Sequence, residues 1–256
     1  MTIMPNLSEL KEKVMKTIQP KGEPVAFKLY ATLDEVKKLN VPPLEKNLAL
    51  CQLLKYCAIF GKTRYVTFEN VDSCVVGSYV LGLGLPPEDV KERWVRGFAY
   101  DPKIFDKLVE NIESIPLGKY SAAVFGTMEW FDKVGQKPDG IILLVNSTQT
   151  YLLSVGFFDA TGKKIVSAFN GHAACEIVAA IEKGKSPWVT IPCGGARGIA
   201  EAQDDELWVG MKVDELETTI NRLESVGLKY PPFVYEMITA DLNPDHPLTG
   251  LIARKP

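Results

Sequence analysis

Apolar positions recur in this chain at helical spacing, in strand alternation and in unbroken runs, and these patterns divide it into elements. Residues 8–18 read as an amphipathic helix, with Leu10, Val14 and Ile18 on one side, Ser8 as N-cap, and Pro20 and Gly22 as the stop. Residues 24–30 read as a short strand. Residues 32–39 read as a helix capped by Thr32, with Glu35 completing a capping box. A longer helix over 44–60 is apolar on much of its circumference and is expected at the centre. Residues 64–70 are β-rich. A small-residue helix over 73–83 ends at Gly82, Gly84 and the Pro86-Pro87 pair, and two charged amphipathic helices follow at 88–96 and 102–112.

The second half alternates. Strands are expected at 121–127 and at 140–146, the latter a continuous apolar run of the kind buried on both faces. Residues 148–158 favour a helix, 164–169 a strand, 173–183 a helix, 188–192 and 207–211 strands, and 213–226 a strongly amphipathic helix. The tail after Tyr230 carries five prolines and is expected to lie across the surface. No convincing linker interrupts this order. The expectation is an α+β or mixed α/β protein, one compact domain over 1–256 with a central mixed sheet flanked by helices.

Composition narrows the classes of function. The 256 residues are 46% hydrophobic and 24% charged, ordinary for a soluble globular chain. Lys and Arg number 29 against 32 Asp and Glu, a net charge of −3, which leaves no basic excess for a phosphate backbone and argues against nucleic acid. The longest apolar runs fall far short of the ~20 residues of a membrane span, and the N-terminus shows no apolar leader. The expectation is a cytoplasmic protein with no membrane association. Its five cysteines then read as reduced thiols or metal ligands, and the odd count points the same way.

Familiar catalytic signatures fail on inspection. Gly61-Lys62-Thr63 resembles the end of a phosphate loop, but Tyr56 stands where its first glycine belongs. Gly82-Leu83-Gly84 lacks the third glycine of a dinucleotide fingerprint. Only two histidines are present: His246 lies in a proline-rich tail, and His172 precedes a helix where a cap or core role is the simpler reading.

The cysteines remain. Cys74 opens a helix, Cys175 lies in the first turn of another, and Cys193 ends a strand before Gly194-Gly195. Free backbone N–H groups at such places lower a thiol's pKa and donate to metal-bound sulfur. Cys51 and Cys57 share the long helix, but at ~100° per residue they point about 240° apart and do not share a small site. Against all this, free cysteine is an ordinary core residue, and no compact ligand spacing is present.

Further motifs fall in a definite order. They are Pro24-Val25-Ala26-Phe27-Lys28; Cys51; Glu69 with Cys74-Val75-Val76-Gly77 and Leu81-Gly82-Leu83; Pro138-Asp139 before an apolar strand to Asn146 and Gln149; Cys175-Glu176; and Cys193-Gly194-Gly195-Ala196-Arg197 with Asp204-Asp205-Glu206-Leu207. In this order they resemble DUF169, a family of uncharacterised prokaryotic proteins, over roughly residues 20–212. The resemblance implies that Cys51, Cys74, Cys175 and Cys193 occupy motif positions and that Cys57 does not. It implies no activity. Ala196 stands where a serine is common, and the family's use in anaerobes would suit an oxygen-sensitive cofactor.

Three readings follow. In the first, the four motif cysteines converge on one redox or metal centre, most naturally [4Fe–4S], with zinc as the alternative and electron carrier or enzyme both open. Lys28 and Arg197 would then contact a substrate anion or sulfur, and their simpler reading is surface charge. In the second, the protein is metal-free and either binds a small molecule or uses a helix-N-terminal cysteine as a thiolate. Asn146, Gln149, Asp205 and Glu206 would line its pocket, although 204–206 reads more simply as a solvated turn. In the third, Trp94, Trp130, Trp188 and Trp208 serve a partner surface, where core packing is the simpler reading. The expected partners are a small molecule or a redox partner, and a homodimer is allowed for on base rate alone.

Overall fold

The structure is a computed structural model that describes residues 6–71, 74–84, 101–165, 167 and 169–232. Six strands, β1 (Val25–Tyr30), β2 (Arg64–Val66), β3 (Ala122–Thr127), β4 (Gly140–Val145), β5 (Trp188–Thr190) and β6 (Leu207–Met211), form one sheet in the order β2-β3-β1-β4-β6-β5. The architecture is α+β. Every strand pair is antiparallel, where a mixed sheet was expected. The reason is the position of β1. It lies between β3 and β4, which run in the same direction, so each meets an opposed neighbour instead of the other.

Eleven helices occur among the described residues: α1 (Leu7–Thr17), α2 (Leu33–Lys37), α3 (Leu50–Phe60), α4 (Phe68–Val71), α5 (Val75–Val80), α6 (Pro102–Asn111), α7 (Met128–Lys133), α8 (Ser147–Thr161), α9 (Glu176–Glu182), α10 (Gly194–Ile199) and α11 (Val213–Ser225). Strand alternation sorts the core into two halves. Val25, Phe27, Ala123, Phe125, Ile142, Leu144 and Trp208 face one side, where they pack with residues of α3, α5 and α9. Ala26, Tyr30, Val124, Ile141, Leu143, Val209 and Met211 face the other, with α1, α7, α8 and α11. β4 is buried along its whole length, as its unbroken apolar run requires. Trp208 and Trp188 are buried and Trp130 is partly buried against the core; Trp94 lies outside the described residues.

Several boundaries differ from expectation, each for a local reason. The long helix begins at Leu50, not 44, because the segment before it pairs elsewhere. Leu44 N–H donates to Tyr65 O (3.0 Å), Leu48 N–H donates to Asn70 O (3.3 Å), and Ala49 N–H is capped by Gln52 Oε1 (3.0 Å). The N-cap of α1 is Asn6, whose side chain accepts from Glu9 N–H, while Ser8 instead hydrogen-bonds Asp132. The β-rich 64–70 stretch is a three-residue strand running into the one-turn α4. Lys164, Ile165, Ser167 and Phe169 belong to no strand, whereas α7 and the glycine-rich α10 are helices that pattern alone did not indicate. The helix expected at 88–96, and the tail beyond Pro232 with His246, lie outside the described residues.

Candidate functional site

The four motif cysteines all belong to the α3–α5–α9–α10 side of the sheet, and all four stand at helix starts. Cys51 is in the first turn of α3, and Cys74, Cys175 and Cys193 are the N-cap residues of α5, α9 and α10. Cys51 was expected inside its helix, and the later start of α3 moves it to the end. Cys51 and Cys175 are buried; Cys74 and Cys193 are partly exposed. The Cys193 Sγ accepts the Ala196 N–H at 3.5 Å.

Two close approaches deliver these helix ends. A Cβ on Gly77, in α5, would lie 3.2 Å from Leu50 Cβ, so the glycine lets α5 press against the start of α3 beside Cys51. A Cβ on Gly210, in β6, would lie 2.5 Å from Ile181 Cδ1 and 2.7 Å from Ile177 Cγ1. Its absence lets α9 lie flat on the sheet, which fixes where Cys175 projects.

The thiols sense one another. Burial pushes the Cys51 thiol up to about 12, with Cys193 and then Cys74 adding to the rise. Burial pushes Cys175 well above the ordinary thiol range, and Cys74, Cys193 and Cys51 follow as causes. Cys74 is also raised by burial, opposed by the N–H groups of Gly77 and Val76 and reinforced by Cys193. Cys57 stands apart. Its S–H donates to Phe125 O at 3.6 Å, burial raises it to about 12, and Arg64 alone modulates it, by lowering. Among the described residues, no group of three or more His, Cys, Asp or Glu side chains is set to hold a single metal ion. A cubane cluster spreads its thiolates over four corners, further apart than the ligands of one ion.

Charged groups border this region. Lys55, one turn after Cys51 on α3, donates to Glu206 Oε2 at 2.8 Å, and Glu206 is only 1% exposed. Glu206 also accepts from the Trp208 indole N–H (2.8 Å) and from the Gln203 N–H (3.4 Å). The solvated turn expected at 204–206 therefore ends in a buried carboxylate. Lys55, the one charged residue of α3, was the sequence signal for it. Glu176, next to Cys175, is buried and pushed up to about 7 by that burial; it accepts from Asn170 Nδ2 (2.8 Å) and Glu113 N–H (3.2 Å). His172 lies in the preceding turn, where its backbone N–H donates to Asn170 Oδ1 (2.7 Å).

The candidate substrate contacts are dispersed. Lys28, on β1, lines an open cavity of about 220 Å³ with Lys137, Pro138, Asp139, Lys212, Val213 and Asp214, and none of Asn146, Gln149 and Arg197 takes part. Asn146 and Gln149 form a reciprocal capping box at the start of α8, and Asn146 Nδ2 donates to the Tyr230 hydroxyl (3.3 Å). Gln149 Nε2 also donates to Gln19 O. Arg197 fastens the segment after Cys193, through Nε to Pro192 O (3.2 Å) and Nη1 to Gln203 O (3.3 Å). No helix among the described residues is long and apolar enough to cross a membrane.

Comparison with known proteins fits this arrangement of motifs. An uncharacterised protein of Methanocaldococcus jannaschii is 23% identical over 228 residues, covering 86% of this chain and 95% of that protein. No solved structure matches the chain. The family model described as uncharacterised ArCR matches residues 13–222, a span holding all four motif cysteines, and the chain belongs to that family, DUF169.

Proposed function

We propose that this chain is a redox protein, or redox enzyme, whose Cys51, Cys74, Cys175 and Cys193 hold an iron–sulfur centre of the [4Fe–4S] type. One observation carries the reading. Cys51, Cys74 and Cys175, from three separate segments, are each held protonated by burial first and by other motif thiols after it, with Cys193 among the causes every time, and Cys57 takes no part. Several buried thiolates side by side are costly unless a positive core compensates them. When bound, such a cluster supplies one-electron transfer.

The chain's own residues supply the rest. Four helix starts hold the thiols, amide N–H groups of Gly77, Val76 and Ala196 donate to sulfur, and burial excludes water from Cys51 and Cys175. The partly exposed Cys193 marks the edge where a redox partner or small molecule would approach. A reducing, cytoplasmic and anaerobic setting suits five free thiols.

A second reading rests on Cys193 alone. A partly exposed sulfur that already accepts an amide N–H is suited to act as a thiolate without any metal. The test is iron, zinc and acid-labile sulfide per chain in protein purified without oxygen, with its visible spectrum. About four iron and four sulfide per chain are expected. Serine at 51, 74, 175 or 193 should lower that content, and Cys57→Ser should leave it unchanged. One zinc without sulfide would replace the cluster with a zinc site. A colourless, metal-free protein with one fast-reacting thiol would sink the first reading in favour of the second.

A further inference from the structure

A second charged cluster lies across the sheet from the thiols. Lys28 stands on β1 between Ala26 and Tyr30, on the face that packs with α1, α7, α8 and α11. Antiparallel register sets β1, β4 and β6 side by side, with Phe27 opposite Gly140 and Ile141 opposite Met211. Lys28, the segment before β4 and Lys212 after β6 therefore meet at one place, where they line the open cavity of about 220 Å³. Lys28 is held there. Its Nζ donates to Lys137 O (2.9 Å), stands 3.8 Å from Asp139 Oδ1 and lies 5.8 Å from the centre of the Tyr30 ring. Asp139 is fixed in turn, because its Oδ2 accepts the Leu29 N–H at 2.8 Å. The ammonium groups of Lys137 and Lys212 have no ion-pair partner among the described residues. Three lysines thus line the cavity against two aspartates, of which Asp139 is matched to Lys28 and Asp214 is exposed. On the same side of β1, the Tyr30 hydroxyl is buried without a hydrogen-bond partner. Buried polar groups are rarely left so unless water or a ligand reaches them.

We propose that this cavity binds a phosphoryl group, carried by inorganic phosphate or by a small phosphate monoester. Lysine ammonium groups act as point charges, which suit the several oxygens of a tetrahedral oxyanion. A planar carboxylate is better read by an arginine fork, and no arginine lines the cavity. The volume is below the ~300 Å³ at which pockets for drug-sized ligands begin, so the enclosed part of the ligand is small, and the open side leaves room for a short ester chain. Lys28 and Lys212 sit on or directly beside strands of the sheet, which places their charges more firmly than a loop would. The proposal does not depend on any metal at the cysteines, which lie on the other face.

The experiment is a calorimetric titration of the full-length protein with inorganic phosphate and with glycerol phosphate, at an ionic strength held constant with sodium chloride. The native protein should bind one equivalent. Lys28→Met and Lys212→Met should each weaken binding about tenfold, the loss expected for one charge-assisted contact. Lys163→Met removes an exposed lysine outside the cavity, with the same change in net charge, and should bind as the native chain does. Tighter binding of glycerol phosphate than of phosphate would mark a monoester as the ligand, and the reverse order would mark the free ion. Amide proton–nitrogen correlation spectra of the native protein give a second reading that needs no variant, should Lys28→Met fail to fold. Phosphate should move the amides of residues 137, 139 and 212–214. Absence of binding, native-like binding by both cavity variants, or equal weakening by all three lysine variants would overturn the proposal. So would amide shifts gathered at the helix starts that carry the thiols.

Discussion

Glu113 shows how a single carboxylate can tie two elements together. It follows α6 and pairs with Lys185 and Lys183, just beyond α9. Burial pushes its carboxyl upward, but the two ammonium groups outweigh burial and hold it below the ordinary range. A group whose folded pKa is depressed contributes stability above the unfolded value, about 4.3 for Glu, and loses it as pH falls through the folded value. Urea midpoints measured from pH 6 down to pH 3 should therefore fall more steeply for the native chain than for Glu113→Gln. Parallel curves would show that the pairs are too solvated to matter. Cys57 makes the opposite point, because its hydrogen bond to Phe125 O and its depth mark it as core. The helical-wheel separation had already set it apart from Cys51.

Among the elements, the sheet strands and amphipathic helices were legible because their signals are local. The unbroken run of β4 and the stripes of α1 and α11 each state their own burial. The site was less legible. The start of α3 depends on Leu44 and Leu48 finding backbone partners at Tyr65 and Asn70, which no local pattern encodes. α10 contains three glycines in six residues, a composition that argues against a helix until Cys193 caps it and its flank packs. Lys55 and Glu206, 151 residues apart, could be matched only through the fold. The contact of α9 with the sheet is testable at Gly210. Gly210→Ala must displace Ile181 and Ile177, which should cost about 1–3 kcal/mol of stability as an overpacked core does. Because α9 also carries Cys175 at its start, the proposed iron–sulfur centre predicts that iron content drops in the same variant. Loss of stability with full iron content would show that α9 moves without taking its cap along.

At the scale of the whole molecule, the two faces of the sheet are unlike. One carries α1, α7, α8 and α11, and the other carries every motif thiol. Those thiols span residues 51 to 193, so they come to one face only when most of the chain has folded. A group that binds only that folded state adds to stability by mass action, and its removal should lower the urea midpoint.

Three of the four thiols cap helices of only six or seven residues, and that brevity has a kinetic consequence. Helices so short are marginal on their own, and a cross-link at the first residue would be their chief restraint. Stripping the centre should then open a seam along one layer and leave the sheet closed. In hydrogen-exchange measurements, amides of α5 and α10 should lose protection by orders of magnitude while those of β4 keep theirs. The molecule would breathe on one side only, and the rate of that breathing would set how quickly a lost centre could be rebuilt.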